Sequence, residues 1–417
     1  MSKLLIKNIK GIINARETAP AKLSGAEMSD IAELKNAWLA VEDGIIADFG
    51  EMEGWPGITD WRDLEVIDAE GKYLFPTWVD SHTHIVFAAT REGEFVDRIN
   101  GLSYQEIASK GGGILNSAAK LASMSEDDLF QQAHERAVAL MKLGTGALEI
   151  KSGYGLSLEA ELKMLRVIRR LKDALPIPVK STFLAAHAIP KEFAGDADGY
   201  MKLVIEEMLP KALAEGLLDY VDIFIEDGYF SVAHGKSLLE AASVHGIQGK
   251  IHVNQFSVQG GVGLGVEMGA LSVDHLEELS DEDIESLKNS STMPVALPSC
   301  SFFLGIPYTP ARKMIEAGLS LALATDFNPG STPSGNMNFV NSLACIQMKM
   351  TPEEAFNAST INAAYALGLE QELGSITPGK RANFFLTKPI PSYAYLPYAF
   401  GENCIEAVFI NGLEIMQ

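Results

Sequence analysis

The sequence predicts an α/β fold, namely a parallel (β/α)8 barrel with a small β-sandwich domain formed by the two ends of the chain. Three observations support this prediction. The middle of the chain repeats short apolar runs and helical stretches, and both ends show short alternating β patterns with hairpin turns. The 417 residues also suffice for a full barrel and a smaller companion. We expect the small domain at 1–74 and 377–417 and the barrel at 75–376.

The two ends of the chain carry the β patterns. From Leu4 to Ile67 apolar and polar residues alternate in short runs, and Asp43-Gly44 marks a hairpin turn. Near the other end, residues 383–386 and 405–410 show the same pattern, and Asn411-Gly412 marks a second hairpin. These dipeptides favour tight hairpins because both turn positions take a positive φ. We therefore expect the two ends to combine into one domain, with the barrel inserted between them.

Eight apolar runs bounded by turn residues predict the barrel strands. They are separated by amphipathic stretches such as 159–174, EAELKMLRVIRRLKDA, where apolar residues recur at three- and four-residue steps. Each parallel crossover requires a helix, so eight such repeats favour a closed barrel. A doubly wound open sheet remains the alternative, because periodicity does not distinguish the two. The predicted strands are 77–84, 145–151, 178–186, 220–226, 249–255, 271–276, 293–298 and 320–326.

Composition limits the partners and the compartment. A net charge of -22 and a pI near 4.8 disfavour nucleic acid and anionic membrane surfaces, which would repel such an acidic chain. Cys300, Cys345 and Cys404 lie far apart without a CxxC pair, so we expect neither a disulfide framework nor a thiolate metal site. No apolar run reaches the ~20 residues of a membrane span. We expect a cytoplasmic protein that binds a small molecule.

Histidines and an aspartate lie near the ends of several predicted strands. His82 and His84, in DSHTH, are two residues apart on a strand and so point to the same side. This pattern alone is weak evidence for a metal. However, His252, His275 and Asp326 lie near the C-terminal ends of predicted strands five, six and eight. In a barrel those ends meet at one face, where active sites are built.

These residue types suit a catalytic metal centre, because up to three imidazoles and a carboxylate leave one position for water. We predict one divalent ion, zinc or iron, bound by His82, His84, His252 and Asp326. Asp326 is also a candidate proton acceptor. His275 either completes the metal shell or orients the water and takes its proton, and we favour the second role. A second metal would need a further carboxylate, for which Glu226 is the candidate.

The order of HxH, His, His and Asp along the strands resembles the amidohydrolase superfamily. Longer stretches resemble one of its families, the imidazolonepropionases, and this resemblance extends over most of the chain. Part of it, the triple glycine, lacks a following GK[ST] and therefore favours a turn or lid over a phosphate loop. The stretches are DSHTHIVFAATREGEF (80–95), KGGGI (110–114), EIKSGYGL (149–156), LAAHAIP (184–190), SVDHLEEL (272–279) and TDFNPGS (325–331).

The resemblance implies a metal-dependent hydrolase that acts on a cyclic amide. Its reaction would be hydrolysis of 4-imidazolone-5-propanoate to N-formimino-L-glutamate in histidine degradation. The resemblance also implies a homodimer. One alternative is another cyclic-amide hydrolase or aminohydrolase of the superfamily. Another is a non-catalytic scaffold, which we disfavour because such proteins usually lose ligands and every predicted ligand is present here.

The resemblance also implies a set of substrate-binding residues. The propanoate arm needs a cation, and Arg91 follows the HxH motif by a short loop, with a planar guanidinium that matches a carboxylate. A surface ion pair is the alternative role for Arg91. By analogy with the family, Tyr154 and His187 also bind substrate. The pocket after strand eight would be lined by Asn328, Gly330 and Ser331.

One position departs from the family. Its members carry a glutamate three residues after the strand-five histidine, whereas this chain has Gln255. A glutamine hydrogen-bonds the substrate ring but does not transfer a proton. Either the proton route uses Asp326 and His275 alone, or the substrate differs from that of the family. We favour the first, because the other pocket motifs are intact, and we keep Gln255 as a catalytic-site residue.

Overall fold

The computed structural model describes residues 3–102, 106–107 and 112–415. Within these ranges the chain forms sixteen strands in two eight-stranded sheets. Part of the triple-glycine stretch, Lys110 and Gly111, lies outside the described residues. In chain order the strands are β1 Lys3–Ile12, β2 Leu34–Glu42, β3 Ile45–Glu51, β4 Leu64–Asp68, β5 Tyr73–Pro76, β6 Trp78–Asp80, β7 Thr145–Lys151, β8 Val179–Ala186, β9 Tyr220–Ile225, β10 Gln248–Val253, β11 Ser272–His275, β12 Met293–Ala296, β13 Ala322–Leu323, β14 Phe384–Thr387, β15 Ile405–Ile410 and β16 Leu413–Ile415.

The helices lie mainly between the strands of the barrel. None of those in the described ranges combines the length and apolar character needed to cross a membrane. A π-helical segment occupies Val204–Met208. Short 3-10 turns occupy Gly25–Ser29, Met52–Gly54 and Lys191–Phe193. The α-helices are α1 Glu92–Ile99, α2 Ile114–Ser123, α3 Glu126–Lys142, α4 Leu158–Ala174, α5 Ala197–Leu203, α6 Leu209–Ala214, α7 Val232–Ser243, α8 Gly261–Glu267, α9 Asp281–Lys288, α10 Pro298–Leu304, α11 Ala311–Glu316, α12 Met337–Ile346, α13 Pro352–Ser359, α14 Ile361–Tyr365 and α15 Tyr395–Tyr398.

The first sheet joins the two ends of the chain. Its strand order is β16-β15-β14-β5-β1-β2-β3, with β4 paired to β1 in parallel. The contact between the two ends is antiparallel, with Phe385 opposite Phe75. Both hairpins are confirmed, because Asp43-Gly44 connects β2 to β3 and Asn411-Gly412 connects β15 to β16, all at positive φ. Strand β5 crosses the boundary expected at residue 74, and the domain limits stay a prediction.

The second sheet is the barrel. Strands β6 to β13 follow one another in sequence order and pair in parallel throughout. The first and last strands meet just beyond their ends: the Asp326 amide donates to the His82 carbonyl at 3.0 Å, and the His84 amide to the Phe327 carbonyl at 2.8 Å. This closure rules out the open sheet. All eight predicted strands and the helix at 159–174, here α4, are confirmed.

Aromatic side chains pack the first sheet against the barrel. The rings of Phe75 and Phe385 are stacked with centroids 5.2 Å apart, and Trp78 lies 5.1 Å from Phe385. Phe356 of α13 closes this group from the barrel side, 5.1 Å from Phe75. All four side chains are fully buried. The sheet of the two ends therefore shares one apolar core with the barrel.

Candidate metal centre and substrate pocket

The predicted metal ligands come together at the C-terminal rim of the barrel. His82 and His84 follow β6, and their Nε2 atoms face each other at 3.3 Å. One donor atom each of His82, His84 and His252 lies within 4.8 Å of the others, and all three residues are buried. Asp326, just beyond β13, places Oδ1 at 3.6 Å from His82 Nε2 and 3.5 Å from His84 Nε2. Three distant stretches thus supply one group of four donor residues.

The donor atoms fit a divalent metal ion. Burial, together with the nearby cationic and histidine side chains, lowers the pKa of His82 and of His84 well below the usual value, so both rings are neutral at pH 7. Nε2 of His252 is buried and has no hydrogen-bond partner in the described part of the chain. Neutral imidazoles that aim lone pairs at one point need a cation there, and adding one carboxylate makes a set typical of zinc or iron.

Buried carboxylates contact the Nδ1 atoms of two of the histidines. Nδ1 of His82 lies 2.6 Å from Asp274 Oδ2, and Nδ1 of His252 lies 2.9 Å from Asp222 Oδ2. Lys151 Nζ contacts Asp222 at 2.7 Å and Asp274 at 3.6 Å. Although burial raises it, His252 and Lys151 lower the pKa of Asp222 overall. A carboxylate that accepts from Nδ1 leaves Nε2 free to bind an ion.

Asp326 is held so that its two oxygens have different surroundings. Its backbone has a φ of 57°, which turns the carboxylate toward the histidines. Oδ2 accepts hydrogen bonds from the hydroxyls of Ser331 and Thr332, both at 3.3 Å. Oδ1 faces the two histidine Nε2 atoms. One oxygen is therefore anchored, and the other is presented to the metal centre.

The loop after β13 is organised by Asn328. Its Oδ1 accepts from the backbone amides of Gly330 and Ser331 at 2.8 Å each, and its Nδ2 donates to the Asp326 carbonyl at 2.7 Å. Asn328 and Ser331 line the pocket. Gly330 lies behind it, where any Cβ would collide with the Arg91 guanidinium. Glycine at this position therefore allows Arg91 to approach the loop.

Arg91 is buried at the pocket wall, not on the surface. It immediately precedes α1, is 7% exposed and lines the pocket. Its Nε donates to Glu94 Oε2 at 2.9 Å, and Glu94 Oε1 accepts from the Gly113 amide at 3.0 Å. Arg91, Glu94 and the start of α2 therefore form one connected unit. The alternative of a surface ion pair does not apply.

Tyr154 and His187 lie side by side in the pocket lining. The His187 ring stacks on His84 with centroids 5.2 Å apart, and Tyr154 lies 5.6 Å from His187. Nδ1 of His187 donates to the Gly153 carbonyl at 3.1 Å, which turns its Nε2 away from that carbonyl. Gly153 has a φ of 105°, and a Cβ there would lie 2.7 Å from His187 Nδ1. The glycine of KSGYG therefore permits this contact.

His275 and Gln255 occupy the remaining side of the pocket. Nδ1 of His275 lies 3.3 Å from Glu277 Oε1. Although burial lowers it, Glu277 raises the pKa of His275 overall, so the ring accepts a proton readily. Gln255 also lines the pocket, and its Nε2 donates to Cys300 Sγ at 3.4 Å. The glutamine side chain is therefore oriented by a residue outside the pocket lining.

The Glu226 carboxylate accepts hydrogen bonds from backbone amides, which the sequence did not predict. Its Oε2 accepts from the amides of Phe256 at 2.9 Å and Ser257 at 3.3 Å, and Oε1 accepts from the Asp227 amide and the Ser257 hydroxyl. Both oxygens thus bind the loop after β10. This arrangement accounts for the buried carboxylate without a second metal ion.

Sequence reasoning missed several residues around the site. The two supporting carboxylates had a signal, since Asp222 and Asp274 interrupt apolar strands (YVDIFI and SVDH) where a charged side chain needs a partner. The apolar lining had no such signal, because aromatic and aliphatic side chains occur throughout the barrel. That lining consists of Ile114, Phe224, Tyr229, Phe256 and Leu304.

A (β/α)8 barrel with histidines and an aspartate at its C-terminal rim defines the class of metal-dependent hydrolases. The model of the amidohydrolase family matches residues 73–415. Relatives named imidazolonepropionase include one from Christiangramia forsetii, 63% identical over 98% of this chain and 99% of the relative, and one from Flavobacterium johnsoniae, 58% identical over 98% of both. The chain belongs to the amidohydrolase family and, within it, to the imidazolonepropionases.

Solved structures of lower identity share the fold. A triazine hydrolase variant has a TM-score of 0.74 at 13% identity, over 99% of this chain and 94% of that chain. A guanine deaminase from C. acetobutylicum has a TM-score of 0.70 at 16% identity, over all of both chains. An adenosine deaminase from Xanthomonas campestris, solved with bound zinc, has a TM-score of 0.69 at 15% identity, over 99% and 92%. At these identities the likeness concerns the fold alone.

Proposed function

We propose that this chain hydrolyses 4-imidazolone-5-propanoate to N-formimino-L-glutamate in histidine degradation. The family gives the reaction class, since relatives 38–63% identical over nearly the full chain are named imidazolonepropionase. The observation that carries the proposal is the pairing of two features in one pocket. The pocket lining includes donors for a metal ion and the buried Arg91, which could bind a carboxylate.

One divalent ion, zinc or iron, would be held by His82, His84, His252 and Asp326. Such an ion, when bound, activates a water molecule at neutral pH and polarises the substrate carbonyl. Asp222 and Asp274 would hold two of the histidines in the tautomer that binds through Nε2. A single ion is favoured because Glu226, the candidate ligand for a second, is engaged by the loop at 256–257.

Asp326 and His275 would act on the attacking water, Asp326 as its proton acceptor and His275 as the group that orients it. Asp326 Oδ1 faces the metal ligands and can accept a proton from the attacking water. His275 donates through Nδ1 to Glu277, which leaves Nε2 as the acceptor that orients the same water. The ring carbon–nitrogen bond breaks once the leaving nitrogen is protonated. Gln255 would hydrogen-bond the substrate ring, and no proton passes through it.

Further pocket residues would orient the substrate. Arg91 would bind the propanoate, since its guanidinium lines the pocket and is held in place by Glu94. Tyr154 and His187 would contact the ring. Asn328, Gly330 and Ser331 would shape the pocket wall beside Arg91. Burial keeps these groups away from bulk water, which strengthens a charge pair with the propanoate.

An assay on 4-imidazolone-5-propanoate, with bound metal measured on the same sample, tests this function. We expect turnover by the native chain. Arg91→Met should raise KM at least tenfold and leave metal content unchanged, because about 2 kcal/mol of charge-assisted binding is lost. Arg62→Met, at an exposed arginine of the first sheet, is the control. Background turnover with metal bound would remove the substrate assignment.

The remaining expectations concern assembly and location. The cytoplasmic location, the homodimer and the lack of nucleic-acid binding stay predictions. The acidic composition supports the last of these, because a net charge of -22 repels phosphate backbones. Sedimentation of the purified chain would test the dimer.

A further inference from the structure

Behind the proposed metal ligands lies a second group of donor atoms. His275, Glu277 and Cys300 each offer one donor, and the three atoms lie within 4.8 Å of one another. They are an imidazole nitrogen, a carboxylate oxygen and a sulfur. All three residues are buried, with exposed fractions of 4% or less. We call this group the His275–Glu277–Cys300 cluster.

Glu277 is a buried carboxylate with few donors around it. Its Oε1 faces His275 Nδ1 and the Ser301 hydroxyl, both at 3.3 Å. Its Oε2 is buried and has no hydrogen-bond partner among the residues that the structure describes. Within the same residues, the only ion pair of Glu277 is with His275. A buried carboxylate oxygen without a donor is costly, and a cation would satisfy it.

The sulfur of Cys300 is the third donor atom of the cluster. Gln255 Nε2 donates to Sγ at 3.4 Å. Cys300 is a buried free cysteine, whose thiol proton a bound cation can replace. A metal ion that replaces this proton would gain a strong ligand.

We propose that the His275–Glu277–Cys300 cluster is a second, inhibitory binding site for a thiophilic divalent cation such as zinc or cadmium. The cation would bind Sγ, a Glu277 oxygen and His275 Nδ1, and the thiol proton would leave to solvent. Mixed nitrogen, oxygen and sulfur donors suit these ions, whereas magnesium and calcium prefer oxygen alone. The spacing of the cysteines predicted no thiolate site. The other two ligands of the proposed site, His275 and Glu277, come from the end of β11 and the residues after it, and neither is a cysteine.

Binding at the cluster would remove His275 from the reaction. A cation on Nδ1 displaces the contact with Glu277 and leaves the ring proton on Nε2. His275 then has no free nitrogen that could accept a hydrogen bond from the attacking water and orient it. Only this loss of activity rests on the proposed function, because binding of the cation does not depend on the substrate.

Cadmium titration of the metal-loaded full chain tests the proposal. We expect one further equivalent to bind and to produce the ultraviolet absorption of a cadmium thiolate. Cys300→Ser should lose this absorption, and its turnover is compared with its own rate without cadmium, because Cys300 contacts Gln255. Cys345→Ser, at a partly exposed cysteine, is the matched control and should keep the absorption. Cys300→Ala serves as a second variant if serine prevents folding.

Activity measured in the same titration separates the possible results. We expect the native chain and Cys345→Ser to lose at least tenfold in turnover as cadmium is added, while the turnover of Cys300→Ser does not fall below its own rate without cadmium. Absence of a thiolate band in the native chain, or a band that persists in Cys300→Ser, overturns the proposal. Inhibition that is equal in Cys300→Ser overturns its inhibitory part. A normal band in a chain that does not turn over imidazolone propanoate supports the cation site and contradicts the proposed function.

Discussion

Several residues of the site adopt backbone conformations that side chains other than glycine rarely take. Asn254, His275 and Asp326 have φ values of 55°, 89° and 57°. Each lies where a barrel strand ends, so the turn directs its side chain over the rim and not along the strand. Such conformations cost about 1–3 kcal/mol each and persist only where the surrounding packing holds them. Their grouping at one rim marks it as the functional end of the barrel.

The carboxylate beneath His82 should control metal affinity. In Asp274→Asn the carboxylate at His82 Nδ1, 2.6 Å away, becomes an amide. We expect the metal dissociation constant to rise about 10- to 100-fold, as is usual when such a supporting group is lost. Competition with a chelator measures this constant. Asp198→Asn, at an exposed carboxylate paired with His234, is the control and should bind metal as the native chain does.

Metal retention should extend below the pH at which ordinary histidines release metal. Burial lowers the pKa of His82 and His84 well below 6.5, so protons compete with the ion only at lower pH. Because the pKa values of His82 and His84 are lowered, metal binding is lost only when the pH falls through those lowered values. We expect equal metal content after dialysis at about pH 5.5 and 7.5. Release with a midpoint near 6.5 would contradict this interpretation.

At the scale of elements, buried glutamates hold the loops that build the pocket. Glu161, in the first turn of α4, accepts from the Gly155 amide at 2.7 Å and the Leu156 amide at 2.9 Å. Glu94 of α1 does the same for Gly113, and Glu226 for the loop after β10. Loop amides have no partners within a helix or sheet, and each carboxylate accepts their hydrogen bonds instead. The loop backbone is thereby held in a defined position.

Weakening one of these contacts should change substrate binding without changing the metal. In Glu226→Gln, one accepting oxygen becomes an NH2 group that faces the backbone donors of 256–257. We expect KM to rise several-fold because Phe256 lines the pocket, with metal content unchanged. Asp227→Asn, next to it, is the control. Loss of metal from Glu226→Gln would instead indicate that Glu226 is a ligand.

At the scale of the whole molecule, the barrel and the sheet of the chain ends depend on each other. Their shared aromatic group joins Phe75 and Phe385 of the sheet to Trp78 and Phe356 of the barrel. Deeper in the barrel, Lys250 Nζ donates to the Ser81 carbonyl at 2.9 Å and also contacts Glu149. Paired buried charges of this kind are costly to break, so the barrel interior is specified by more than apolar packing.

Removing one ring from the shared group should destabilise the protein as a whole. Phe385→Ala deletes a fully buried side chain, and we expect the free energy of unfolding to fall by about 3–5 kcal/mol. Denaturant unfolding followed by tryptophan fluorescence measures it, since Trp78 lies in the same group. Phe400→Ala, at a side chain 62% exposed, should change it by less than about 0.5 kcal/mol.

The sequence by itself determined the barrel strands, the two hairpins and the meeting of His82, His84, His252 and Asp326. These features follow from local patterns: apolar runs, turn dipeptides with positive φ, and the rule that parallel strands end on one face.

Only the tertiary structure decided which other side chains meet the site. Three contacts join segments that lie apart in the chain: Asp222 with His252, Glu226 with the loop at 256–257, and Cys300 with Glu277. Periodicity tells which face a residue takes, but the distance between two side chains depends on barrel closure and on loop conformations. Those are set by packing across the whole molecule, and no single stretch of sequence carries that information.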